Sequence, residues 1–167
     1  LHFIEGDLTS PADCRAAATG VEVVYHLAAG FDKSFAGAFM NSALATRNLL
    51  DAYLECGAPQ RFVHVSSFAV YSTLGMRRGA LLDEAAPLED APQERFDAYA
   101  FGKLEQERIV RAYGREMGLQ YVILRPGTVF GPGKRDLTGR IGVGTFGVFL
   151  HLGGRNLLPL TYVDNCA

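Results

Sequence analysis

A tyrosine and a lysine stand four positions apart in the stretch DAYAFGKLEQE, residues 97–107. On a helix, residues at i and i+4 lie one turn apart on the same face, so Tyr99 and Lys103 would project side by side. An ammonium group beside a phenol favours the phenolate and lowers its pKa. Such a phenol can exchange a proton with a reacting oxygen near neutral pH, which an ordinary tyrosine does poorly. The alternative is a half-buried aromatic beside a solvated charge.

The composition is that of one globular domain. The chain has 167 residues, of which 49% are hydrophobic and 20% charged, and a net charge of -2. Neither this charge nor any run of Lys and Arg suggests nucleic acid as a partner, and no apolar run approaches the roughly 20 residues of a membrane span. The start lacks the features of a signal peptide. We therefore expect a cytoplasmic protein without nucleic-acid or membrane partners.

The three cysteines give no sign of a disulfide framework or a metal site. Cys14, Cys56 and Cys166 are odd in number and widely spaced. They lack metal-ligand spacing and suit a reduced compartment. We expect buried or incidental thiols, and no metal.

Strand-like and helix-like segments alternate along the chain. The predicted strands are LHFIEG (1–6), VEVVYHLAAG (21–30), RFVHVSS (61–67) and QYVILRPG (120–127), of which the last three read as buried. The predicted helices are TSPADCRAAATG (9–20), with Ser10 as N-cap, Pro11 at the first helical position and Gly20 as the stop, then 34–57, and about 96–117. Residues 72–95 read as a long loop. This order is typical of an α/β doubly wound fold with a parallel sheet.

In such sheets, ligands bind outside the carboxyl ends of the strands. The residues that follow the predicted strands are Asp7, Ala28, Ala29, Ser66, Ser67 and Pro126. For Ser66 we favour a hydroxyl that bonds to backbone. His26 and His64 lie within the strands and are expected to be core residues.

Six motifs stand in a fixed order on these elements. They are GDL at 6–8, HLAA at 26–29, RFVHVSSFAVY at 61–71, YAFGK at 99–103, LRPGTVFGPG at 124–133 and YVDN at 162–165. With them, essentially the whole chain resembles the extended short-chain dehydrogenase/reductase superfamily, specifically its NAD-dependent epimerase/dehydratase group. The resemblance implies Tyr99 as the acid/base, Lys103 lowering its pKa while holding the nicotinamide ribose, and Ser67 bonding the reacting oxygen.

The resemblance also implies a dinucleotide cofactor, NAD or NADP, with NAD favoured. The residues at its contact positions are Asp7, Leu8, Ala28, Ala29, Val65, Tyr99, Lys103 and Pro126. Asp7 matches the aspartate that accepts from the adenine amino group. Ala28 and Ala29 fit the turn where the backbone passes close to the cofactor, with a mere packing turn as the alternative.

Two positions depart from the family pattern. When the chain is aligned on TRNLL, Ser42 stands where the family usually has asparagine. Asn41 is one residue off and would point about 100° away on a helix. Ser72 replaces the glycine that usually follows V-Y. The contact at position 42 is therefore in doubt.

The family's glycine-rich phosphate-binding turn does not stand near the start. The resemblance then implies that LHFIEG is the third strand of the sheet. Residues 1–135 would be a partial dinucleotide-binding domain that lacks its first βαβ unit and glycine-rich loop, and residues 136–167 the start of the substrate-binding part. We expect a Rossmann-like sheet that is incomplete at both ends, in an internal piece of a longer protein. Such a piece alone should neither melt cooperatively nor bind a dinucleotide tightly.

The reaction is narrowed by two residues after Ser67. Phe68 and Ala69 stand where 4,6-dehydratases of the group carry an acidic pair, and Ala69 stands where decarboxylating members carry glutamate. The resemblance therefore implies plain oxidation or reduction of a secondary alcohol or ketone, or epimerisation, most readily of a nucleotide sugar. Phe68 favours a hydroxysteroid-dehydrogenase-like or ketone/aldehyde-reducing alternative if it lines the site, but it could equally pack under the long loop. A non-catalytic dinucleotide-binding protein, a scaffold, and a homodimer formed through the helices at 34–56 and 96–117 are further possibilities.

Overall fold

The computed structural model describes residues 2–77, 79–133, 142–145, 147–151 and 157–167. These residues form two compact units. The first unit contains the described residues of Leu1–Met76 and Leu82–Arg125, and the second those of Arg77–Leu81 and Pro126–Ala167. The domain boundary predicted at 135/136 lies outside the described residues.

The first unit is built on a parallel sheet of three strands. The elements are α1 (Pro11–Ala18), β1 (Val23–His26), α2 (Phe35–Ala38), a π-helical segment (Phe39–Leu44), α3 (Ala45–Cys56), β2 (Arg61–Val65), α4 (Ala98–Met117) and β3 (Tyr121–Leu124). The strand order is β1-β2-β3, with His26 opposite His64 and His64 opposite Ile123. Helices α1, α3 and α4 share one core with Phe62 of the central strand. The predicted α/β class with a parallel sheet is confirmed.

Residues at the helix ends fix where the helices begin and stop. The Ser10 hydroxyl accepts from the Asp13 amide and Pro11 is the first helical residue, as predicted. The Asp97 carboxylate accepts from the Ala100 amide at 2.9 Å and caps α4. At the other end, Gly118 has a φ of 71°, a left-handed conformation that glycine adopts without strain. The helix that carries Tyr99 and Lys103 is therefore fixed at both ends.

The prediction that LHFIEG forms a strand is wrong. Residues 2–6 have no regular secondary structure, and Phe3 is 83% exposed. A strand exists only through hydrogen bonds to a neighbour, and the sheet of the first unit contains only β1, β2 and β3 among the described residues. The apolar character of a segment is therefore not enough to make it a strand when it has no partner strand.

The prediction that the strand at 21–30 is buried on both faces is also wrong. It is an edge strand, and Tyr25 is 70% exposed while His26 is buried. Burial on both faces holds for the central strand β2, where Phe62, Val63 and His64 are buried. The other edge strand, β3, is half-buried along most of its length.

The predicted long loop is confirmed, and hydrogen bonds hold it to the segment that follows β2. The Ser72 amide donates to the Pro87 carbonyl and the Glu89 amide donates to the Val70 carbonyl. The Arg95 guanidinium donates to the buried Glu89 carboxylate at 2.7 Å. The loop therefore closes back on the segment that follows β2.

The second unit contains two small sheets. Strand β4 (Thr128–Phe130) pairs in parallel with β7 (Leu160–Tyr162), and β5 (Gly142–Thr145) pairs antiparallel with β6 (Val148–His151). The rings of Phe130 and Tyr162 meet edge to face at 5.4 Å. In the described parts of both units, no helix is long and apolar enough to cross a membrane.

His26 and His64 lie in the core, as predicted. They are 2% and 0% exposed, and their rings lie 5.6 Å apart. Burial lowers the pKa of His26 from 6.5 to about 4 and that of His64 to about 3. His26 bonds to Thr46, whereas neither ring nitrogen of His64 has a hydrogen-bond partner in the described part of the chain.

Replacing His64 by leucine is expected to raise the free energy of unfolding by about 1–2 kcal/mol at pH 7, because an unpartnered buried polar group is removed. The free energy of unfolding of the variant should also decrease less on acidification than that of wild type. Below about pH 6.5 the unfolded chain gains a proton on His64 that the native state does not take up, which costs about 1.4 kcal/mol per pH unit in wild type. Denaturant unfolding of the full-length protein between about pH 4 and 7 measures both effects.

His26→Leu is the matched control, because it removes a buried histidine that has a partner. It should lower the free energy of unfolding. Equal effects of the two substitutions at pH 7 would contradict the assignment of His64 as an unsatisfied group.

Candidate active site

Helix α4 carries the predicted pair on its inner side. Lys103 is 3% exposed, and its ammonium group donates to the Val65 carbonyl, at the end of β2, at 2.8 Å. Burial lowers the pKa of Lys103 from 10.5 to about 8, while the Glu107 charge one turn further along acts in the opposite direction. Lys103 is therefore not the solvated charge of the simpler alternative.

A buried ion pair lies behind Lys103. Arg125, directly after β3, donates through Nε and Nη2 to the two carboxylate oxygens of Glu107, at 2.8 and 2.6 Å. Its third contact is the Tyr71 hydroxyl, which accepts from Nη1 at 3.0 Å. Burial alone would raise the pKa of Glu107, but the bonds from Arg125 hold it below its usual value. Glu107 thus keeps a negative charge one turn from Lys103.

Tyr99 is half-buried and is stacked on an aromatic ring from another part of the chain. The Phe31 ring lies parallel to it, with centroids 5.4 Å apart and an interplanar angle of 7°. Phe31 stands in the loop after β1 and is 84% exposed. No sequence signal pointed to this contact, since the two residues are far apart in the chain.

The turn at Ala28 is tied to α4 by a buried glutamine. Gln106 is 0% exposed, and its amide nitrogen donates to the Ala28 carbonyl at 3.1 Å and to the Thr46 hydroxyl at 2.7 Å. Thr46 donates to the Ser42 carbonyl, so it accepts from the Nε2–H of neutral His26. Gln106 was not predicted as a site residue, although a polar residue three positions after Lys103 could have indicated a second polar contact of the helix.

The π-helical segment holds the other side of this turn. Ser42 accepts from the Gly30 amide at 3.0 Å, and Asn41 donates to the Asp32 carboxylate at 2.8 Å. A Cβ atom on Gly30 would lie 2.7 Å from that of Asn41, so the close approach requires glycine. Ser42, at the position that was in doubt, therefore contacts the turn after β1 through its hydroxyl. Half-exposed Ala29 lies within the same turn.

Asp7 and Leu8 lie beside helix α3. The Asp7 carboxylate is exposed and accepts from the Thr9 amide at 2.8 Å, a bond that lowers the pKa of Asp7. The Leu8 carbonyl accepts from Asn48 of α3 at 3.2 Å. Asn48 is a second polar anchor that sequence reasoning missed.

Ser66 and Ser67 follow β2 and differ in their contacts. The Ser67 hydroxyl accepts from the Ala69 amide at 3.2 Å and caps a short 3-10 turn. Within the described residues, no hydrogen bond joins Ser67, Tyr99 and Lys103 directly. The prediction that Ser66 bonds to backbone is wrong: its hydroxyl is buried without a hydrogen-bond partner in the described part of the chain. Ser66 lies close to the Glu107 carboxylate, whose pKa it helps to lower.

Phe68 faces the long loop. Its ring lies 5.5 Å from that of Tyr71, and both line a cavity of about 540 Å³ together with Leu82, Asp83 and Glu84 of the loop. Phe68 therefore forms part of the wall of a cavity beside the long loop. Pro126 belongs to the second unit. Among the described residues, no group of three His, Cys, Asp or Glu side chains could hold a metal ion.

The chain matches one family model and several relatives. The model for the NAD dependent epimerase/dehydratase family matches residues 1–144. Isoform 2 of the 3beta-hydroxysteroid-dehydrogenase/decarboxylase of Arabidopsis thaliana is 31% identical over 179 residues, covering 100% of this chain and 30% of the relative. A 3 beta-hydroxysteroid dehydrogenase/Delta 5→4-isomerase of Mycobacterium tuberculosis is 31% identical over 147 residues, covering 82% of this chain and 38% of the relative.

One solved structure is similar over nearly the whole chain. The UDP-glucuronic acid 4-epimerase of Bacillus cereus, in complex with UDP-glucuronic acid and NAD, is 25% identical and has a TM-score of 0.75. The match covers 99% of this chain and 52% of the epimerase. The chain thus spans 30 to 38% of the length of these curated relatives and about half of this solved one.

Lys103→Met is expected to remove a rise in the free energy of unfolding above pH 8. Between the native pKa of about 8 and the usual 10.5, the unfolded chain keeps a proton that the native state has lost. The free energy of unfolding therefore rises with pH in this window, by up to about 1.4 kcal/mol per pH unit from this residue. Urea unfolding of the full-length protein across the window measures the slope.

Lys33→Met is the control, because Lys33 is an exposed lysine of the loop after β1. It should keep the wild-type slope. An unchanged slope in Lys103→Met would mean that the buried ammonium does not titrate in this range.

Proposed function

Since the chain belongs to the NAD-dependent epimerase/dehydratase family, we propose that it binds NAD and catalyses hydride transfer at a secondary alcohol or ketone carbon. The observation that carries the proposal is the buried Lys103, fixed by the Val65 carbonyl on the same helix face as Tyr99. A lone surface pair would leave the ammonium in water, where it perturbs a phenol little.

The residues present suit a dinucleotide. An ammonium group has three hydrogens, and Lys103 uses one for Val65 within the described residues, which leaves two for ribose hydroxyls. Ala28 is exposed and Ala29 half-exposed, and both side chains are small, so a ligand can approach the backbone there. One carboxylate oxygen of Asp7 accepts no hydrogen bond from the residues that the structure describes and could accept from an adenine amino group. NAD, when bound, supplies the hydride acceptor or donor.

The proposed roles of the side chains follow from their contacts. Tyr99 takes up or releases the proton of the reacting oxygen, and the positive charge of Lys103 favours the phenolate that this requires. Ser67 donates a hydrogen bond to the same oxygen, since its hydroxyl accepts from Ala69 and so keeps its own hydrogen available. Val65 orients Lys103 through its carbonyl.

The reaction stops at hydride transfer, with epimerisation as its two-step form. Elimination and decarboxylation need an acid or base beside the reacting carbon, and Phe68 and Ala69 offer neither. The proposal therefore covers oxidation, reduction, or oxidation followed by re-reduction on the opposite face.

Two substrate classes are supported by relatives. A nucleotide sugar is supported by the solved UDP-glucuronic acid 4-epimerase, which is similar over 99% of this chain. A hydroxysteroid or similar ketone is supported by the two hydroxysteroid dehydrogenases, both 31% identical. Pairing of two subunits through the helices at 34–56 and 96–117 and a cytoplasmic location stay predictions.

Tyr99→Phe in the full-length protein is expected to reduce turnover about 10²- to 10⁴-fold, the usual contribution of general acid–base catalysis. Binding of NADH should persist, because the variant keeps the ring. The chain has no tryptophan, so the fluorescence of NADH reports binding without a strong intrinsic background from these residues. Parallel titrations with NADH and NADPH establish which cofactor is preferred.

Tyr25→Phe is the matched control, because it removes an exposed phenol from the edge strand β1. It should leave turnover at the wild-type level. Unaltered turnover in Tyr99→Phe would refute the acid/base role, and wild-type protein that binds neither cofactor would favour a scaffold. Binding without turnover on any secondary alcohol would favour the non-catalytic dinucleotide-binding alternative.

A further inference from the structure

We infer that Phe31 forms an apolar wall beside Tyr99 and makes the site select a flat alicyclic alcohol or ketone that lacks polar groups around the reacting carbon. The inference rests on the proposed hydride transfer and decides between its two substrate classes. It names a specificity-determining residue that contacts the substrate but takes no part in the proton transfer.

The position of Phe31 is unusual for a large apolar side chain. Its ring is stacked on Tyr99, yet 84% of the residue is exposed, so most of the ring surface is open to a ligand. Exposed apolar surface of this kind is stabilised when a ligand covers it. A ligand that brings its reacting oxygen to the Tyr99 hydroxyl therefore passes close to the Phe31 ring.

The loop holds Phe31 in place from both sides. On one side the Gly30 amide donates to the Ser42 hydroxyl at 3.0 Å, and on the other the Asp32 carboxylate accepts from Asn41 at 2.8 Å. Both anchors stand on the π-helical segment, a feature frequent at functional sites. A loop backbone held by bonds of the residues on either side of Phe31 loses little conformational freedom when a ligand packs on the ring, which favours binding.

Other exposed apolar side chains stand in segments at the same edge of the sheet. Leu27 follows β1 and is 66% exposed, and Leu74 follows the turn after β2 and is 77% exposed. Phe96, just before α4, is 88% exposed and has a φ of 52°, which is strained for an aromatic residue. The carboxyl edge of the sheet thus offers apolar surface in three separate segments.

This surface matches one substrate class better than the other. A sugar carries hydroxyl groups on the carbons beside the reacting one, and each loses hydrogen bonds to water if it is buried against a phenyl ring. An alicyclic ring buries only C–H surface there.

The test compares Phe31→Ala with wild type in the full-length protein, using a 3β-hydroxysteroid and UDP-glucuronic acid as the two probes with NAD. Loss of the aromatic contact should lower kcat/KM for the hydroxysteroid about tenfold and leave that for UDP-glucuronic acid within about twofold. Phe31→Trp keeps an aromatic face and should restore most of the hydroxysteroid activity. Met117→Ala removes an exposed apolar side chain at the far end of α4 and should change neither value.

Binding of the 3-keto steroid in the presence of NADH, followed by calorimetry, gives a readout that does not depend on turnover. Its dissociation constant should rise about tenfold in Phe31→Ala. Equal losses for the two probes, turnover of the sugar nucleotide alone, or steroid binding that Phe31→Ala leaves unchanged would overturn the inference. If wild type shows cofactor-dependent turnover that Tyr99→Phe abolishes, the proposed hydride transfer stands in all of these cases.

Without turnover of either probe, calorimetry still decides about Phe31, and the test of the hydride transfer is the turnover of other secondary alcohols by wild type and Tyr99→Phe. Steroid binding that Phe31→Ala weakens would support the apolar wall as a binding feature. Absence of steroid binding to wild type would overturn it.

Discussion

The buried ammonium group of Lys103 is the constraint on which the first unit depends. Removing a charge from water is costly unless hydrogen bonds and an opposite charge compensate for it. The Val65 carbonyl provides the hydrogen bond and Glu107 the opposite charge. Glu107 is itself buried, so it needs Arg125, which reaches it from the end of β3. One charge thus determines how α4 must sit against the ends of two strands.

A second set of buried polar contacts fixes the rotation of the same helix. Gln106 stands beside Glu107 but points to the turn after β1, where it bonds to the Ala28 carbonyl and to Thr46 of α3. Sliding α4 by one residue would break the contacts of Lys103, Gln106 and Glu107 together and leave several buried groups unpaired. Apolar packing alone tolerates such shifts better, since it is not directional. The polar residues therefore supply the accuracy with which Tyr99 is presented.

Sequence predicted what depends on local signals. The cap at Ser10, the central strand β2 and the i, i+4 spacing of Tyr99 and Lys103 all act within a few residues, and the structure contains each of them. The strand at LHFIEG failed because strand formation requires a partner that local pattern does not reveal. The exposure of Tyr25 was not predicted for a similar reason, because an edge strand and a central strand can carry the same β-branched residues.

The sequence predicted which residues share one turn of α4, but it did not predict which residue stacks on Tyr99. Tyr99 and Lys103 belong to one helical turn, whereas Phe31 meets Tyr99 only because the π-helical segment and Gly30 bring the loop after β1 across to α4. Sequence pointed instead to Phe68, because it follows Ser67 directly, and the structure turns that ring toward Tyr71 and the long loop. Substitution of the buried polar residues and substitution of the exposed aromatic residue differ in their cost in stability. Lys103, Gln106 and Glu107 cannot change without stranding buried partners, while Phe31 is largely exposed and can change at little cost in stability.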